Sequence, residues 1–105
     1  MTEVDRLAML KEFLSTNPND CFARYGLAME YVRQGTLEPA LGEFRALLKI
    51  NPDYIAAYQM AAQSLMKADR MDEARQMLED GIASAIRTGN SHAQSEMQGM
   101  LDELG

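Results

Sequence analysis

Two prolines 34 residues apart, each preceded by asparagine, set the register of this chain: Asn17-Pro18-Asn19 and Asn51-Pro52-Asp53. A proline disfavours helical geometry at the residue before it, so each site ends one helix and opens a turn. Between them, Leu27, Ala28 and Tyr31 share one helical face. Gly35 interrupts, and Leu37, Ala40, Leu41, Phe44, Leu47 and Leu48 form a second, wider stripe. Residues 21–54 therefore read as one helix-turn-helix unit.

The same unit recurs on either side. A step of 34 residues forward lays Ala57 on Ala23, Ala62 on Ala28, Leu65 on Tyr31, Lys67 on Arg33, Ala74 on Ala40, Leu78 on Phe44 and Ile82 on Leu48. A step back lays Leu10 on Phe44, Phe13 on Leu47 and Leu14 on Leu48, so the first helix, over residues 3–15, matches only the second half of a unit. Its polar positions include Glu3, Asp5, Arg6, Lys11 and Glu12. The expected organisation is a single domain over 1–105: a half-repeat helix (1–18), repeat one (21–54), repeat two (55–88) and a capping helix (89–105).

Local signals place the boundaries. Asn19 or Asp20 can cap the second helix, and Gly35 can take the positive φ of a helix C-cap. Thr36 is the expected N-cap of the third, with Pro39 in its first turn. That helix should be the most buried. Where the first unit has Pro52 the second has Ile86, so its last helix should run longer, to about Arg87. Asn90 or Ser91 can cap a final helix that is apolar at Ala93, Met97, Met100, Leu101 and Leu104.

Charge narrows the function classes. A net charge of −6 with 10 Lys and Arg against 16 Asp and Glu opposes binding to nucleic acid or to anionic membranes. No apolar run approaches the roughly 20 residues of a membrane span. The start, Met1-Thr-Glu-Val-Asp, has neither the basic segment nor the apolar core of a secretion signal, so a cytoplasmic location is the expectation. The single cysteine, Cys21, reads as a small apolar residue at a helix start rather than a reactive thiol.

No set of residues for catalysis or cofactor binding emerges. The only histidine, His92, has Glu96 at i+4, which supplies two metal ligands where three or four are needed. The Asp69-Arg-Met-Asp-Glu run lacks the glycine and spacing of a calcium loop, and no glycine-rich phosphate loop is present. We therefore expect no enzyme activity, no cofactor and no metal. Most of the 9 methionines, Met71, Met77 and Met100 among them, read as core filler.

The pattern resembles the tetratricopeptide repeat family, whose signature runs W-x2-L-G-x2-Y, then Ala, an aromatic and Pro. Leu27, Ala28, Tyr31, Ala40, Phe44 and Pro52 meet it in the first unit, with Arg24 in the place of the Trp. Tyr58, Ala62, Leu65, Ala74 and Leu78 meet it in the second. The stem of Arg24 can cover the Trp site while its guanidinium reaches water. The resemblance implies an all-α, right-handed helix-turn-helix solenoid, here of about five helices. It also implies a concave groove lined by the first helix of each unit: Phe22, Tyr25, Met29 and Arg33, then Ala56, Gln59, Gln63, Met66 and Lys67.

Such a groove implies a protein-binding module whose ligand is a peptide or protein segment of about 6 to 8 extended residues. Arg33 and Lys67 favour an acidic segment or a C-terminal carboxylate. Met29 and Gln63 stand where a chaperone-tail clamp has asparagines, so that role is not implied. Two readings of Phe22 and Met29 remain open, as core beneath the half-repeat or as groove surface. The alternative function is a self-associating scaffold subunit that pairs through the Phe22/Tyr25/Met29 face.

Overall fold

The structure, a computed structural model, describes residues 3–105, with side chains from Arg6 onward. Glu3 and Asp5, expected on the wet face of the first helix, have side chains outside the described part. Six α-helices and no strand occur among the described residues: α1 (Glu3–Thr16), α2 (Cys21–Gln34), α3 (Leu37–Ile50), α4 (Ile55–Lys67), α5 (Met71–Arg87) and α6 (Ser91–Glu103). One half-repeat, two helix pairs and one cap make six helices, where about five were expected. The helices form two compact units that meet at the Asn51-Pro52 bond.

Most helix ends follow from local chemistry. Asp20 accepts the Ala23 N–H at 2.9 Å and Asn90 accepts the Ala93 N–H at 3.0 Å, the expected N-caps of α2 and α6. Gly35 sits at φ 77°, where its N–H donates to the Val32 carbonyl and that of Thr36 to the Tyr31 carbonyl, both at 3.0 Å. Thr36 departs from expectation. Its hydroxyl donates back to the Tyr31 carbonyl at 3.1 Å, so the α3 N-terminus has no side-chain cap. α5 runs 17 residues against 14 in α3, because Ile86 permits the helical turn that Pro52 interrupts in the first unit.

In the first unit, α2 lies between α1 and α3. Leu14, Ala23 and Leu27 form the seam with α1, with Leu7, Leu10 and Tyr31 around it. On the α3 side, Ala28, Ala40, Leu41, Phe44 and Leu47 have no exposed surface. The Tyr25 ring tilts against Phe44 at 6.2 Å between centroids. Leu48, expected in this core, is only partly buried.

Arg24, in the place of the signature Trp, behaves differently from the sequence expectation. Its guanidinium does not reach freely into water: it donates to Glu43 and to the Pro18 carbonyl, both at 2.7 Å, with its side chain 18 % exposed. Glu43, read from sequence as wet, is therefore half-buried as its partner. The ion pair joins α2 to α3 and holds the turn before α2, a polar substitute for aromatic packing.

In the second unit, α5 is central, packed on α4 and α6. Its glycine decides how close the three helices come. A Cβ built on Gly81 would lie 2.5 Å from Met97 Sδ on α6 and 2.8 Å from Tyr58 Cβ on α4. Tyr58 in turn donates its hydroxyl to the Pro52 carbonyl at 2.6 Å. With five buried side chains against four, α4 is more enclosed than α3, the helix expected to be deepest. Three of its four alanines, Ala57, Ala61 and Ala62, vanish completely from the surface. Of the three methionines read as core filler, Met77 and Met100 are partly buried, whereas Met71 starts α5 at the surface.

Burial and close approach give two stability predictions. Phe44→Ala should cost about 3 to 5 kcal/mol by removing a fully buried ring. Leu48→Ala should cost less, about 1 to 2 kcal/mol, because that side chain is only partly buried; equal losses in urea unfolding would contradict the burial difference. Gly42 has open space where a Cβ would go, so Gly42→Ala should gain about 0.5 to 1 kcal/mol from helix propensity. Gly81→Ala should instead lose about 1 to 3 kcal/mol through overpacking on the rigid Tyr58 Cβ. Thermal melts of the two variants that shift in the same direction would refute the close approach.

Candidate functional site

The first unit carries an open groove of about 1250 Å³ between α1 and α2. One wall is the α1 face of Arg6, Met9, Leu10 and Phe13, spaced three and four residues apart. The other is the α2 face of Phe22, Tyr25, Gly26, Met29 and Arg33, which repeats the same spacing along a longer stretch. Two helices with apolar stripes facing one channel leave a surplus of apolar surface in water beyond their own contact.

That surplus is visible in the exposure of three large side chains. Phe22 is 81 % exposed, Met9 53 % and Phe13 45 %. Phe22 is thus groove surface rather than core, while Tyr25 and Met29 are partly buried. Tyr25 has both uses, since its ring supports Phe44 and also lines the channel. Gly26 contributes no side chain to the lining, and a Cβ there would meet Leu10 at ordinary contact range.

The groove also holds a charge that the sequence reading missed. Glu30 is only 4 % exposed, yet it sits on α2 between Arg6 on α1, whose Nε lies 3.5 Å away, and Arg33 one helical turn on. Burial of a carboxylate is tolerable only with partners, and here two guanidiniums share one acid. Arg6 and Arg33 thus stand at one end of the groove on either side of the buried acid. The i, i+3 spacing of Glu30 and Arg33 was a legible signal, but the burial of Glu30 was not.

The residues expected from the second repeat lie in the second unit. Gln59 is half-buried and donates to Glu96 at 3.3 Å. Glu96 also meets His92 at 3.4 Å, and His92 is almost fully solvated. Ala56 and Met66 are partly buried, whereas Gln63 and Lys67 are exposed. Among the described residues, no three His, Cys, Asp or Glu side chains converge as a metal site, and no helix is long and apolar enough to cross a membrane.

A family model described as tetratricopeptide repeat matches residues 31–85, just over half of the chain. The chain belongs to the tetratricopeptide repeat family. It is 27 % identical over 95 residues to a TPR repeat-containing protein of Pseudomonas aeruginosa, covering 90 % of each. A tetratricopeptide repeat domain protein from Salinibacter ruber, solved in solution, is 31 % identical with a TM-score of 0.77, over 83 % of this chain and 88 % of that one. The TPR2B domain of yeast Sti1 shares the fold at a TM-score of 0.83 and 13 % identity, over 93 % of this chain and 78 % of its own. Tetratricopeptide repeats are in general non-catalytic protein-interaction modules.

Within this family fold, one polar cluster is structural rather than part of the groove. Asp53, in the turn before α4, accepts from Ser84 at 2.8 Å and from Arg87 Nε at 3.0 Å, with the Arg87 Nη2 as a further donor. Ser84 is completely buried on α5, so the bond satisfies a hydroxyl that has left water. Hydrogen bonds from Arg87, then from Ser84, hold the Asp53 carboxyl below its ordinary range, and the hydrogen bond to Asp53 raises Arg87.

Because the folded Asp53 titrates below its unfolded value of about 3.9, its contribution to stability is complete above that pH and is lost as pH falls through the depressed value. The urea midpoint of Asp53→Asn should lie below that of the wild type near neutrality. The gap should narrow as pH falls below about 4; a gap that stays constant with pH would remove the ion pair from the account.

Proposed function

We propose that this tetratricopeptide repeat chain binds a protein segment in the groove between α1 and α2, with Phe22, Tyr25, Met29 and Arg33 as the contact surface. The exposure of Phe22, beside Phe13 and Met9 in a single channel, carries this reading. Large apolar side chains grouped in a concavity mark interaction sites, whereas single exposed ones do not. The yeast Sti1 domain that shares this fold was solved as a complex with pHsp70, which supports a ligand-holding role for the scaffold. Arg6 and Arg33 stand at one end of the groove on either side of Glu30, where a ligand that carries carboxylates would meet guanidinium groups. By register, Gln59, Gln63, Met66 and Lys67 are the second repeat's equivalent of that α2 face, with Lys67 in the place of Arg33.

Phe22 contributes almost nothing to the chain's own packing, so Phe22→Asp should leave the thermal melt within about 1 °C of wild type. In a crosslinking pull-down, the variant should lose the proteins that the wild-type chain captures. An unchanged set of captured proteins, with the fold intact, would refute the groove as the contact surface.

A further inference from the structure

We draw no further inference here: the strongest candidate, the open apolar groove between α1 and α2 walled by Met9, Phe13 and Phe22, carries nothing beyond the contact surface already proposed, because nothing in the structure shows what covers it.

Discussion

α2 and α5 carry apolar side chains on more than one face, and each unit depends on supplying the middle helix with a neighbour on both sides. α5 has α4 and α6, and Gly81 removes the side chain that would keep the three apart. α2 has α1 and α3, joined through Leu14, Ala23 and Leu27 on one side and the Tyr25–Phe44 contact on the other. Small residues matter more than large ones in this arrangement. Ala28, Ala40, Ala61, Ala62 and Ala74 have no exposed surface at all, and close helix packing at such positions is what lets the larger side chains interlock. The outer helix α1 packs on α2, and its Met9 and Phe13 are left exposed on the wall of a groove.

Polar groups finish what packing begins. Arg24 stands where the family has an aromatic residue and achieves its connections through Glu43 and the Pro18 carbonyl. Asp53 fastens the turn before α4 to Ser84 and Arg87 at the far end of α5. Both arrangements secure the residues around a proline that ends a helix, where backbone carbonyls lose their intrahelical partners. Glu30 is the exception, because its two arginines face the groove rather than a turn. The only buried carboxylate in the first unit's described residues is thus also the one that gives the groove its charge.

Much of the fold was legible because its determinants are local. The 34-residue register, the Asp20 and Asn90 caps, the Gly35 turn and the longer α5 each depend on a few consecutive residues whose chemistry has one dominant outcome. The candidate site was legible only as a face. Helical spacing places Phe22, Tyr25, Met29 and Arg33 together, but the same spacing serves core and groove equally. Leu48 was misjudged for that reason, since its position in the apolar stripe says nothing of what lies opposite. Thr36 and Arg24 were misjudged because each side chain had two partners within reach, and only the neighbouring turn or helix chose between them.

The sequence by itself determined an all-helical chain of paired helices, counted as about five where six form, because backbone hydrogen bonding and 3.6-residue periodicity act over short stretches. Only the tertiary structure decided that Phe22 stays in water while Phe44 is enclosed, that Glu30 is buried between two arginines, and that Gly81 admits Tyr58 and Met97. Burial is a property of the neighbour as much as of the residue. The half-repeat that the register showed as an unmatched helix became, once α1 was placed on α2, an apolar channel with a charged rim.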